Sequence, residues 1–284
     1  MNVKSQSSPA AAASPEIAPP QDEVVKKESL GSFLWFLAKL LIAVLLFRSL
    51  VFAPFSIPSE SMLPRLWNDD YLLAAKWSYG YSNNSLPFNA PLIPGRIFAS
   101  QPERGDVVIF KHPIDRTDYI KRVIGLPGDS VALVDGQILL NGELVPREAL
   151  PDFDIPMSLN TPCAWGGDEA DGAGGAAVCR YKRFRETLPG GRSYDVLDFG
   201  NVPADSYPPK IIPEGHLFVL GDNRDNSRDS RFEARRGDAV GIVPQENLVG
   251  EASIIIWSTD GSAEWVKPWT WFSAARWGRI GRTI

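Results

Sequence analysis

The chain has 284 residues, 44% apolar and 22% charged, which is enough apolar material for a buried core in one or two domains and excludes disorder throughout. A net charge of -5 gives no basic footprint for nucleic acid, so no nucleic-acid partner is expected. Two cysteines and two histidines offer no zinc-type ligand spacing, so no metal centre is expected either.

Residues 1–30 are rich in Ala, Ser, Pro and charge, cannot bury enough apolar surface to offset chain entropy, and are expected to form a flexible tail. The run FLWFLAKLLIAVLLFRSLVFA, residues 33–53, follows. As a helix it is about 31 Å long, matching a hydrocarbon core of about 30 Å. Lys39 and Arg48 interrupt it within about two turns of its ends, from where long side chains reach the headgroups. A polar site inside the membrane is the alternative. The run is longer than the apolar part of a secretion signal, starts late, and ends at Ala53 directly before Pro54. A retained single-pass anchor over residues 31–54 is therefore expected, with 55–284 as the folded domain. By the positive-inside rule, Lys26 and Lys27 place the tail in the cytoplasm and the domain outside.

Beyond the anchor the periodicity is two, not 3.6. Short runs separated by Gly, Pro, Asn and Asp predict strands at 106–110, 118–126, 130–145, 216–222 and 252–257. Asp135-Gly136 and Asn141-Gly142 fall between apolar residues and predict two tight hairpins. The expected fold is mainly β, an antiparallel twisted sheet or barrel-like domain. Residues 147–213 are less regular and read as a cap insertion. Cys163 and Cys179 bracket a Gly/Ala/Asp-rich stretch; paired in an oxidising compartment, they would close a loop worth about 3 kcal/mol. Two free thiols are the alternative. The last twenty residues mix Trp and Phe with Lys267, Arg276, Arg279 and Arg282, suiting either a bilayer interface or an arm whose aromatics pack into the core.

Nucleophilic catalysis needs a hydroxyl, a base and donors for the developing oxyanion. His112 and His216 read as ordinary strand-end residues, since no Gly-x-Ser-x-Gly elbow accompanies them. A lysine serves as base if burial disfavours its ammonium form. In DYIKRVIG, alternation puts Tyr119, Lys121 and Val123 on one face and Ile120, Arg122 and Ile124 on the other, so the Lys121 amine projects among apolar neighbours. Alternation alone favours a plain solvated lysine.

Four motifs, IPSESMLPRL (57–66), RGDVVIF (104–110), DYIKRVIGLPGD (118–129) and GDNRDNSRDSR (221–231) followed by GIVP (241–244), occur together. In these the chain resembles bacterial type I signal peptidases. The resemblance implies a membrane-anchored serine endopeptidase of the inner membrane that removes signal peptides from exported preproteins, cuts after small residues and needs no cofactor. Its partners would be preproteins leaving the export machinery and the phospholipid bilayer. It assigns Ser61 as nucleophile, Lys121 as general base, Ser59 as an oxyanion donor and Ser227 as the hydroxyl that orients the base. It makes Asp229 and Arg231 a supporting ion pair, and gives Phe55, Ile57, Pro58, Tyr119 and Ile120 to the substrate pockets, where core packing explains each equally well. Pro58 and Pro64 restrict the backbone on both sides of Ser61. Glu60 departs from the small residue common there, and its carboxylate either points to solvent or perturbs Lys121. A self-cleaving repressor-type Ser/Lys hydrolase shares the dyad but lacks a membrane span. A tethered binding module without turnover would show a degenerate dyad, whereas both residues are intact.

Overall fold

The computed structural model describes residues 30–86, 89–163, 165–264 and 266–284; the expected tail with Lys26 and Lys27, and Trp265 of the terminal arm, lie outside the described residues. The chain divides into two compact units, Met1–Leu41 and Ile42–Ile284. Among the described residues one helix, Leu30–Leu50, is long and apolar enough to cross a membrane, and its most apolar stretch is not buried.

That helix ends earlier than the apolar run. Phe52–Ser56 is instead the edge strand of a seven-stranded antiparallel sheet, paired from Phe52↔Ala75 to Ser56↔Tyr71. Apolar content cannot separate a membrane helix from the buried strand that follows it, and the backbone pairing with Asp70–Ala75 makes the distinction here.

The sheet runs in the order Phe52–Ser56, Asp70–Ala75, Leu248–Ser258, Val107–Lys111, Asp118–Gly125, His216–Leu220 and Val243–Pro244. Both faces are covered, which is why the central strands read as continuous apolar runs. Val107 and Ile109 enter one core with Ile57, Met62, Leu66 and Ile255, whereas Val108 and Phe110 enter another with Tyr79, Val123 and Val219. Register shifts recur along Leu248–Ser258, between Leu248 and Gly250, Ala252 and Ile254, and Ile255 and Trp257. Each shift bends the strand and increases its twist, curling the sheet.

A second sheet is built on the two predicted hairpins. Val134 pairs with Gln137 and Leu140 with Glu143. Asp135, Gly136, Asn141 and Gly142 have φ of 49°, 76°, 54° and 86°, the paired positive values that a two-residue turn of matching twist requires.

The cap is more regular than expected. Arg147–Pro156 and Asp168–Asp171 flank Ala177–Thr187, which also pairs with Ser193–Leu197. Tyr207–Ile211 leaves the cap to pair with Ser130–Val134, so the cap sheet ends at Leu197. Charged residues had hidden these strands: Arg180, Lys182, Arg183 and Arg185 line a strand that buries only Val178, Cys179, Tyr181 and Glu186. Cys163 and Cys179 are joined by a disulfide.

The C-terminal arm packs on the domain with its chemistry inverted. Arg279 is buried and donates to both Asp70 oxygens, and Arg276 donates to Asn68 O at 2.8 Å and Asn160 Oδ1 at 2.9 Å. Trp269, Phe272 and Trp277 stay exposed, which corrects the expectation that a packed arm buries its aromatics. Asp70 needs a cation once buried, and the arginines of the arm are its supply.

Candidate active site

Ser61 sits on a single helical turn, Glu60–Met62, fixed from below by Met62, Leu63 and Leu66, all at most 2% exposed. The bond between Leu63 and Pro64 is cis. Lys121 lies on the strand Asp118–Gly125, directly across from Val108. Sixty residues apart in sequence, the two meet: Lys121 Nζ donates to Ser61 Oγ at 2.6 Å and to Ile120 O at 3.1 Å. Lys121 is 4% exposed and Ser61 7% exposed. Burial lowers the amine to about 8 from an ordinary 10.5, the charges of Asp229 and Asp222 holding it up and that of Arg231 pushing it further down. An amine titrating at about 8 is neutral in about one molecule in ten at pH 7, against about one in three thousand for a free lysine.

Ser59 is exposed, with its hydroxyl 3.4 Å from that of Ser61. Ser227 behaves differently from expectation. Its hydroxyl is buried and forms no well-shaped hydrogen bond; it faces Asp229, favouring that carboxylate's ionised form, and none joins it to Lys121. Space explains the placement: a Cβ on Gly221 would lie 2.3 Å from Ser227 Oγ and 2.5 Å from Ser61 O, so Gly221 is wedged between the two serines.

Asp229 and Arg231 form the expected pair, Nε to Oδ1 at 2.9 Å and Nη2 to Oδ2 at 3.0 Å, and Gly221 N donates to Asp229 Oδ2 at 3.1 Å. Although burial opposes its charge, Arg231 holds Asp229 below the usual carboxylate range. On the opposite face of the same strand, Arg122 grips Asp222 at 2.7 and 2.6 Å. Arg122 also lines a 730 Å³ cleft with Arg183 and Tyr194 that includes neither Ser61 nor Lys121.

Three residues of the site escaped sequence reasoning. Asn223 clamps the turn that carries Ser61: its backbone N–H donates to Ser61 O at 3.1 Å and its amide to Glu60 O at 3.2 Å. Glu60 neither points freely into solvent nor ranks among the charges that shift Lys121. Asn68 and Asn226 donate to its two carboxylate oxygens at 3.4 and 3.2 Å, and burial raises its pKa against those bonds. The spacing of asparagines around GDNRDN was visible, but nothing local told which backbone they would meet.

Of the expected pocket residues, Ile57 and Ile120 are 2% and 8% exposed and belong to the core. Phe55 and Tyr119 are half-buried and Pro58 is exposed; the Tyr119 ring lies 5.9 Å from Lys121 Nζ and 5.0 Å from the ring of His112. Neither histidine enters the site. His112 Nε2 lies 3.0 Å from Ala239 O, and His216 Nδ1 lies 2.9 Å from Glu214 O. Asp198, Asp205 and Asp225 gather in one cluster, yet each already has a partner: Arg147 for Asp198, the Val202 amide for Asp205 and the Phe199 amide for Asp225.

A serine hydroxyl hydrogen-bonded to a buried amine of lowered basicity, on a turn backed by a curled β-sheet, has the chemistry of a serine hydrolase. The family model described as signal peptidase, peptidase S26, matches residues 30–257. Signal peptidase I of Rickettsia prowazekii is 38% identical over 243 residues, 82% of this chain and 81% of that one. Signal peptidase I of Rickettsia typhi is 39% identical over 225 residues, 76% of this chain and 75% of that one. A solved signal peptidase I from Enterococcus faecalis is 24% identical, with TM-score 0.30, over 54% of this chain and 98% of that one. The chain belongs to the signal peptidase family, peptidase S26, and is a serine endopeptidase.

Proposed function

We propose that this protein is a membrane-anchored signal peptidase I that removes signal peptides from exported preproteins by a Ser61/Lys121 dyad. The observation that carries the reading is the 2.6 Å hydrogen bond between a buried, weakly basic Lys121 amine and the Ser61 hydroxyl. Neutral Lys121 takes the Ser61 proton as Oγ attacks the scissile carbonyl. Ser59 Oγ and the Ser61 N–H face the carbonyl oxygen as it gains charge. The lysine ammonium then protonates the departing amine, leaving an acyl group on Ser61. A water deprotonated by Lys121 hydrolyses that ester and restores the enzyme. Asp229 and Arg231 hold the loop beside the base. Ser227, next to Asp229 and Gly221, tunes that surround rather than gripping the amine in the resting enzyme.

The substrate binds extended. Phe52–Ser56 pairs on one side only, and Asp118–Gly125 meets its His216–Leu220 neighbour only from Arg122 onward, so backbone beside Lys121 is open to a peptide strand. Phe55, Pro58 and Tyr119 border that path, with Ile57 and Ile120 as its floor.

Leu30–Leu50 anchors the protein in the inner membrane with the tail cytoplasmic, and the domain with its cap works on the extracytoplasmic side. The Cys163–Cys179 disulfide fits that compartment. Incubating the purified full chain with a preprotein and sequencing the new N-terminus tests the reading. The expected product begins directly after a small residue, and an acyl adduct trapped by acid quench maps to Ser61. An adduct elsewhere, or cleavage sensitive to chelators, would overturn it.

A further inference from the structure

The β-domain carries a second buried lysine, outside the dyad. Lys76 is 5% exposed, and its Nζ donates to a single acceptor, Asn84 O at 3.2 Å. An ammonium has three donors, and burying one with a lone carbonyl is costly unless an anion completes it. Lys76 lines a cavity of about 380 Å³ together with Arg48, Lys111, Asp118, Asn84 and Ser85. Asp118 is the one carboxylate on this lining and is already held by Lys111 at 2.9 Å. Neither Arg48 nor Lys76 forms an ion pair among the described residues, so the cavity keeps an excess of two positive charges. Burial first, and repulsion from Lys111 and Arg48 after it, lower Lys76 to about 8 despite the pull of Asp118, which leaves it charged in most molecules at pH 7.

We propose that this cavity binds the phosphate group of an anionic membrane lipid, gripped by Arg48, Lys76 and Lys111. The position of the cavity selects a lipid over a soluble anion. Arg48 stands in the last turn of the helix Leu30–Leu50, and Lys76 N donates to Val51 O at 3.0 Å, so the mouth lies where that helix leaves the bilayer. Headgroup phosphates sit at this depth in either leaflet. Leu45, Ala53 and Val249 supply an apolar wall for the adjoining acyl chain. Non-bridging phosphate oxygens would take the charge-assisted hydrogen bonds that the two unpaired cations now lack. The inference rests on the anchor reading of Leu30–Leu50 and is independent of the dyad.

Native mass spectrometry of the full chain in detergent, with phosphatidylglycerol, phosphatidylcholine or inorganic phosphate added, tests it. One phosphatidylglycerol is expected to stay bound per chain, at least about tenfold tighter than phosphatidylcholine, since one charge-assisted bond is worth about a factor of ten. Arg48→Gln, on an exposed helix position and harmless to folding, weakens retention about tenfold; Lys76→Gln, if its circular dichroism matches the parent, weakens it at least as much. Equal binding of the two lipids, retention unchanged in both variants, or inorganic phosphate bound while lipid is not would each overturn the proposal. Alkaline carbonate extraction separates the premises. A chain washed out of bilayers sinks the anchor reading and this site with it, whereas a chain that stays but does not distinguish the lipids sinks the site alone.

Discussion

Lys121 and Lys76 are both buried, and burial lowers each amine to about 8, yet their surroundings differ in kind. Lys121 faces a serine hydroxyl at 2.6 Å and feels two carboxylates, Asp229 and Asp222, that partly restore its basicity. Lys76 faces one carbonyl and shares its cavity with other cations. Low basicity by itself therefore marks neither a base nor a binding group. What the amine touches decides: a hydroxyl suits it to the proposed role of proton acceptor, a cavity with surplus positive charge to the proposed binding of an anion.

The sharpest break of this contrast is removal of the dyad. Ser61→Ala and Lys121→Ala are each expected to lower kcat by about 10³- to 10⁶-fold, with the double variant no worse than either, because the pair acts as one unit. Additive losses measured on a preprotein would refute the shared step. Next comes the carboxylate side of the comparison. Asp229→Asn strands Arg231 in the interior and is expected to cost about 3–5 kcal/mol in denaturant unfolding. It also removes a charge that raises Lys121, so the pH midpoint of any surviving activity moves below that of the parent. A midpoint that moves up would show that Asp229 acts by other means. Ser59→Ala tests the hydroxyl neighbour, with kcat expected to drop about 10²- to 10³-fold at nearly constant KM. A KM effect alone would make Ser59 a substrate contact.

The smallest effect is the titration itself. On the proposed mechanism the neutral amine is the active form, so kcat/KM is expected to rise about tenfold per pH unit toward about 8 and then level, and Lys76→Met to leave that midpoint in place. Stability carries the same sign. The folded value of about 8 lies below the ordinary 10.5, so the folded state binds fewer protons between the two, and stability rises as pH climbs through that window. No rise on that side from these two amines, read as an unchanged slope in the Lys76→Met and Lys121→Met variants, would mean that both amines are hydrated.

Much of this was legible in the chain because the relevant signals are local. Asp135-Gly136 and Asn141-Gly142 specify their own turns, and the alternation of DYIKRVIG put Lys121 on the face where it is found. The dyad itself became legible through the joint occurrence of four motifs, since no local rule brings residues sixty positions apart into contact. What stayed hidden depends on partners supplied by the fold. The first residues of the strand Phe52–Ser56, up to Pro54, looked like more membrane helix until Asp70–Ala75 paired with them, and the charged strands of the cap showed no clean alternation. Asn223, Asn68 and Asn226 are ordinary loop residues in the sequence, and only the fold delivers them to Ser61 and Glu60. The terminal arm was legible only as two alternatives, an interface segment or an arm with buried aromatics, and neither anticipated that Asp70, already inside, would claim the arginine.

The clamp of Asn223 on the Ser61 carbonyl carries a temporal meaning. Alcohol and amine are both made early in synthesis, but the strap that fixes the alcohol's backbone is translated about a hundred residues after the amine. That contact cannot form in a nascent chain before Asn223 has been made, so it holds the Ser61 turn only once most of the chain exists.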